Sequence, residues 1–142
     1  MIDRAALLAD LASFPDRLAG DARAAAARPT APGEWTPELV VRHLVAVEID
    51  VHQARLDDAA TKDDPRWDWA EPGPWPGEPE LDLEGVLARF GALRRTTLTT
   101  VGTLDEAGWA RTGTHSTLGV FDIAALLDNA RVHDEEHLGG LG

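Results

Sequence analysis

The chain has 142 residues, a length typical of one domain, and its 25 acidic residues against 13 basic ones give a formal net charge of −12 at pH 7. This balance excludes nucleic acid as an expected partner, because phosphate binding needs clustered cations and the only such cluster is Arg94 with Arg95. The absence of cysteine excludes disulfides and thiolate metal sites, so that His, Asp or Glu must hold any metal.

The first predicted helix covers residues 3–28, where leucines such as Leu7, Leu11 and Leu18 recur at helical spacing. Pro15 lies inside this pattern. Because proline removes one backbone hydrogen bond, we expect it to kink the helix or to split it in two.

A second helix is predicted from Pro37 to about Ala60, with Thr36 as its N-cap and the proline at its first position. The apolar stripe of this helix contains one histidine, His43. Asp50 shares the same face about two turns, or ~10 Å, further along, where it is a candidate to line a pocket but not to bind the same ion.

Residues 61–80 form a long connection rich in proline and glycine, which are expected to exclude regular structure. The connection carries three tryptophans, Trp67, Trp69 and Trp75. Two interpretations stay open: the indoles cover the edge of the core, or the loop packs over a functional site, as long loops of this composition often do.

A third helix is predicted to start at Asp82 as N-cap and to run to about residue 104, and a fourth to start at Asp122. A second connection, 108–119, separates them. No alternating β-branched run is bounded by hairpin turns, so we expect no strands. The sequence therefore predicts one all-α domain over residues 1–142, a four-helix bundle with a long Trp/Pro-rich loop between the second and third helices.

No apolar run approaches the roughly 18 residues of a membrane span. The N-terminus lacks the apolar core of a signal peptide. We therefore expect a cytoplasmic protein without a membrane partner.

His133 and His137 lie four residues apart on the apolar face of the fourth helix. Burying two imidazoles is expensive unless their nitrogens are satisfied, which a metal achieves. With His43 they form a three-nitrogen set that leaves positions open, as in catalytic zinc sites. Such a set suits zinc first, with nickel or iron as alternatives. The other interpretation is that all three are ordinary core or surface histidines.

His52 lies nine residues after His43, which is half a turn out of phase in an α-helix, so we expect it to face away. Glu48 is expected to pair with it on that other face. Asp134 either orients a metal ligand or is a solvated helix charge, and we favour the second.

The chain resembles the DinB-like superfamily of metal-binding four-helix bundles. The matching residues are Glu34-Trp35-Thr36-Pro37, then His43-Leu44 and Glu48, then Arg111-Thr112-Gly113-Thr114-His115 with Gly119, and finally His133-Asp134-Glu135-Glu136-His137-Leu138. The resemblance implies a metal site at His43, His133 and His137, and a homodimer, as in many members. It also implies a role for His115, which either reaches the pocket or fixes its loop. The chain departs from the family pattern at Gly140, where members often have glutamine.

The resemblance implies a function as well. Members with known activity include thiol S-transferases that use bacillithiol or mycothiol, and a mycothiol-dependent maleylpyruvate isomerase. We therefore expect a metal-dependent thiol S-transferase acting on a small-molecule electrophile, with the thiol supplied by a cofactor. His115 and Asp50 are the catalytic candidates, and Trp67, Trp69 and Trp75 are candidates to wall the cofactor pocket. The alternatives are a metal-dependent hydrolase that activates water and a non-catalytic metal-binding stress or accessory protein.

Overall fold

The computed structural model describes residues 1–141. Four long helical segments pack as a bundle, which confirms the predicted fold class. The helices are α1 (Arg4–Ala26), α2 (Pro37–Val47), α3 (Ala54–Thr61), α4 (Leu83–Gly102), the short α5 (Glu106–Trp109) and α6 (Ile123–Leu141), and a π-helical turn (Glu48–Gln53) joins α2 to α3 without a break. Within residues 1–141 no helix is long and apolar enough to span a membrane.

Side-chain caps start the helices where the sequence places them. Thr36 Oγ1 accepts the Leu39 amide at 3.2 Å, and Asp82 Oδ1 accepts that of Gly85 at 2.9 Å. Asp122 Oδ1 likewise accepts the Ala125 amide at 2.8 Å. Each bond satisfies a backbone donor that the helix itself leaves free, and such caps typically contribute about 1 kcal/mol.

Pro15 does not split the first helix, because α1 runs unbroken from Arg4 to Ala26. The proline removes only one backbone hydrogen bond. Leu11 and Leu18 are buried on either side of it, so that one apolar stripe holds both halves against the core.

The π-helical turn Glu48–Gln53 changes the phase of the second helical segment. Its wider i→i+5 hydrogen bonds rotate every later side chain relative to a continuous α-helix. Consequently, residues beyond Val47 do not lie where α-helical periodicity predicts.

A small three-stranded sheet occupies the two connections, and the expectation that they contain no strands is wrong. Strand β1 (Arg66–Trp67) runs parallel to β2 (Thr112–His115), which pairs with β3 (Gly119–Asp122) as an antiparallel hairpin. Gly119, at the turn, has a φ of +88°, a conformation that favours glycine. The strands form because the two connections lie side by side, a tertiary effect that no local pattern encodes.

The apolar core has two parts. One contains Leu7 and Leu127 at the end of the bundle near the sheet, and the other contains Phe14, Leu44 and Phe90. Buried charged residues lie between the helices as well, and they are described with the candidate site.

Candidate metal centre

Three histidines meet between α2 and α6. The Nε2 atom of His137 lies 3.2 Å from Nε2 of His43 and 3.1 Å from Nε2 of His133. His43 is buried, while His133 and His137 are each partly exposed. These are the same three histidines that the helical spacing of the sequence places on apolar faces.

The protonation of these rings leaves lone pairs directed at their common centre. His43 Nδ1 lies 2.7 Å from the Pro72 carbonyl oxygen. Because a carbonyl only accepts, Nδ1 carries the hydrogen and Nε2 the lone pair. Burial, reinforced by the neighbouring His137, lowers the pKa of His133 to about 3. Burial and then His43 lower the pKa of His137 as well, so both rings are neutral at pH 7.

The three nitrogens fit a divalent metal. Metal–nitrogen bonds of about 2.0–2.1 Å in tetrahedral geometry separate the nitrogens by roughly 3.3 Å. The two distances from His137 are close to this value, and all three nitrogens lie within 4.8 Å of one another. One shared hydrogen joins only two of the nitrogens, whereas a metal ion satisfies all three. Within residues 1–141 no carboxylate joins this group, so a bound ion keeps open positions on the partly exposed side.

The long loop reaches the site through its backbone. Besides the Pro72 carbonyl on His43, the buried guanidinium of Arg42 donates to four loop carbonyls, those of Trp75, Gly77, Glu78 and Leu81. Arg42 therefore fixes the loop against α2 directly beside His43. The sequence pattern does not single out Arg42, although its position next to the histidine of the apolar stripe is a usable signal.

The three loop indoles do not contact the histidine cluster within the described residues. Trp67 is buried and donates to Asp58 Oδ2 at 3.1 Å, and Trp75 packs beside Arg42. Trp69 is 62% exposed, with its ring centroid 4.9 Å from that of His115. Their role in cofactor binding stays a prediction. The indole that does touch the cluster is Trp35, whose ring centroid lies 5.3 Å from that of His43.

A buried ionic cluster, formed by Arg94, Glu48 and Asp134, lies in the core beside the site. Arg94 donates two hydrogen bonds to Glu48, two to Asp134 and one to the Leu11 carbonyl, at 2.8–3.1 Å. These bonds use all five guanidinium donors. The prediction that Asp134 is a solvated charge is therefore wrong, since apolar neighbours one turn away on each side place it in the core.

Glu48 is committed to Arg94 rather than to His52. Burial alone would raise the pKa of Glu48, but the attraction of Arg94 and the hydrogen bonds that it and Thr97 donate hold that pKa below its ordinary value. The carboxylate is thus ionised and accepts three hydrogen bonds from Arg94 and Thr97. The expected pairing of Glu48 with His52 on an outer face is wrong, because both side chains are buried.

The structure also separates the remaining candidates. His52 is buried and its ring stands edge-on to His133, with centroids 6.0 Å apart, so the expectation that it faces away is wrong. The π-helical turn is the cause. Asp50, in the same turn, is exposed. His115 is buried outside the cluster, where its Nδ1 accepts the Thr117 and Leu118 amides at 3.1 Å each.

Comparison with known proteins gives a family and a fold. The family model described as the DinB superfamily matches residues 4–141. No curated protein matches the chain. Among solved structures it is similar to YfiT from Bacillus subtilis, described as a probable metal-dependent hydrolase with an unusual four-helix bundle topology. The TM-score is 0.75 at 19% identity, over 99% of this chain and 86% of that one, a likeness that shows the fold alone.

Proposed function

The chain belongs to the DinB superfamily, and on that premise we propose that it is a metal-dependent enzyme that transfers a low-molecular-weight thiol to a small electrophile. The observation that carries the proposal is the convergence of three imidazoles on one partly exposed point, with no fourth protein ligand among residues 1–141. Sites with three protein ligands and an open position are typical of catalytic rather than structural metals.

His43, His133 and His137 would hold a divalent metal, and such a metal would supply the Lewis acidity that lowers the pKa of a thiol or water. The protein contributes the geometry. The Pro72 carbonyl fixes the tautomer of His43. Burial lowers the pKa values of His133 and His137, which favours the neutral form that binds a metal. We propose zinc as the metal, with nickel or iron as alternatives.

A thiol nucleophile would come from a small molecule, and the state of the nearby buried carboxylates favours it. The chain has no cysteine, so a reactive sulfur has to come from a small molecule such as mycothiol or bacillithiol. The buried carboxylates beside the cluster, Glu48 and Asp134, are held by Arg94 and are not free to act as general bases. An ionised thiol needs no base, since it is nucleophilic as the thiolate.

A hydrolase is the second candidate, and one observation favours it. Burial lowers the pKa of His137, while Glu71 and Glu136 oppose that shift, which places two further carboxylates near the site. Both are exposed and therefore available as general bases for water. The description of YfiT as a probable metal-dependent hydrolase is consistent with this alternative.

Metal content and a substrate screen test the proposal together. We expect about one zinc per chain in purified protein, a loss in His137→Ala, and full retention in His115→Ala, whose histidine lies outside the cluster. The zinc-loaded protein is then assayed with mycothiol, bacillithiol, glutathione and coenzyme A against a chromogenic electrophile, and in parallel with ester and amide substrates without thiol.

The outcomes separate the candidates. Thiol-dependent turnover that disappears in His137→Ala supports the transferase, and thiol-independent hydrolysis with the same dependence supports the hydrolase instead. Equal metal content in the native protein and His137→Ala refutes the metal site itself. A loaded site without turnover in either screen favours the non-catalytic metal-binding protein.

A further inference from the structure

We infer that His52 positions the metal ligand His133 through a buried water molecule that bridges His133 Nδ1 and His52 Nε2. The inference rests on the metal site of the proposed function and adds a residue that supports it from the protein interior. Three observations carry it: two ring nitrogens without protein partners, the distance between the rings, and a cavity lined by His52.

The first nitrogen is Nδ1 of His133. Because Nε2 of this ring faces His137 at 3.1 Å, binding of a metal there leaves the hydrogen on Nδ1. That atom is buried and has no hydrogen-bond partner within residues 1–141. A buried donor without an acceptor is destabilising, and histidines that bind metals almost always donate this hydrogen to a carboxylate, a carbonyl or a water.

The second nitrogen is Nε2 of His52, which is likewise buried without a protein partner. The two rings stand nearly perpendicular, at 82°, with centroids 6.0 Å apart. No direct hydrogen bond joins them. One water with two bonds of about 2.8–3.0 Å spans nitrogens roughly 4.5–5 Å apart, a gap compatible with this arrangement.

The space and a third partner are also present. A cavity of about 10 Å³ lies beside His52. Apolar side chains line it together with the polar side chains of Glu48, His52, Arg55, Arg94, Thr97 and Asn129. Its lining includes Ala130, three residues before His133 on α6. A volume of this order holds one water, and a buried water needs two to four polar partners. Glu48 supplies an acceptor beside the two histidine nitrogens.

The backbone explains how His52 comes to this position. In a continuous α-helix it would face away from His43, and the π-helical turn Glu48–Gln53 rotates it toward His133. Single π-helical turns inside α-helices occur frequently at functional sites. Here the turn places His52, as a hydrogen-bond acceptor, on the interior side of the metal ligand His133.

Zinc affinity, measured by competition with a chromophoric chelator, tests the inference. Loss of such a supporting partner typically weakens metal binding 10–100-fold, which corresponds to about 1.4–2.7 kcal/mol. We expect a loss of this size in His52→Leu, which keeps the bulk but removes the acceptor. His52→Gln places an amide oxygen near the Nε2 position and should stay within about threefold of the native protein, a difference of less than 1 kcal/mol.

His115→Leu is the matched control, since it also replaces a buried histidine whose Nε2 has no protein partner but which lies outside the cluster. Its zinc affinity should equal that of the native protein. Urea unfolding of each metal-free variant separates a lost water bridge from lost folding. A crystal structure of the zinc-loaded protein should show the water between the two nitrogens.

Equal zinc affinity in the native protein and His52→Leu overturns the inference and leaves the metal site intact. A native protein that binds no zinc overturns both. If His52→Leu does not fold, His52→Gln and the crystal structure decide. A His52→Gln variant with weakened zinc affinity would rule out the bridge. A crystal structure in which His133 Nδ1 bonds to a group other than this water would also rule it out.

Discussion

Replacing Arg94 by methionine should cost the protein about 3–5 kcal/mol of unfolding free energy. Methionine keeps much of the volume but removes the five hydrogen bonds that Arg94 donates. The two carboxylates left behind, Glu48 and Asp134, are 1% and 2% exposed. Removal of one partner from a buried ion pair leaves an uncompensated charge in the core, and costs of this size follow.

Urea unfolding at pH 7.5, in the presence of a chelator, measures the loss. Arg23→Met is the matched control, because Arg23 makes a similar two-bond pair with Glu84 on the surface, where each side chain is 57% exposed. Exposed pairs contribute about 0–1 kcal/mol. A loss in Arg94→Met no larger than that in Arg23→Met would refute the reasoning. Arg94→Lys, with three donors in place of five, should fall between the native protein and Arg94→Met.

Two further predictions concern stability. Burial lowers the pKa of His52 to about 4, below its unfolded value near 6.5. Between these two pH values the unfolded state binds a proton that the folded state does not. The unfolding free energy therefore falls as the pH drops from about 6.5 toward 4. At pH 5 this amounts to about 2 kcal/mol, at 1.36 kcal/mol per pH unit. Between pH 8 and 5, metal-free His52→Gln should therefore lose about 2 kcal/mol less unfolding free energy than the metal-free native protein. An equal pH dependence in the two proteins would contradict the lowered pKa of His52. Gly113→Ala should destabilise the protein by about 1–3 kcal/mol, because its added Cβ meets the Trp67 ring. Gly20→Ala, in open space on α1, should stabilise it by up to about 1 kcal/mol. Melting temperatures of the two variants that shift in the same direction would argue against this packing.

Helical phase placed the three histidines on apolar faces, and the family resemblance indicated the same three as a metal site. Residues four apart on an α-helix share a face, so His133 and His137 had to project together. His43 lies before the π-helical turn, where the second helix is still regular, and its predicted face was therefore correct. Caps at Thr36, Asp82 and Asp122 were predictable for a similar reason, since capping depends on a few consecutive residues.

Features that depend on tertiary contacts were not predictable in the same way. The π-helical turn leaves no mark in the apolar pattern, so the phase argument failed for His52 immediately beyond it. The sheet consists of strands of two to four residues, which pair only because two distant connections meet.

The buried ionic cluster did leave a signal in the sequence. Arg94 has Phe90 four residues before it and Val101 seven after it, the spacing of one helix face. Asp134 has Leu127 and Leu138 at equivalent spacing. A basic residue on one apolar stripe and acidic residues on others indicate a buried pair, because buried charges are almost always paired.

X-ray absorption at the zinc edge of the zinc-loaded protein tests whether the three histidines hold the metal. We expect three imidazole nitrogens at about 2.0–2.1 Å, from His43, His133 and His137, as the complete set of protein ligands. In His137→Ala the number of imidazole nitrogens bound to zinc should fall to two, or the protein should bind no zinc at all. A native spectrum with fewer than three imidazoles, or with a fourth protein ligand that closes the site, would contradict it.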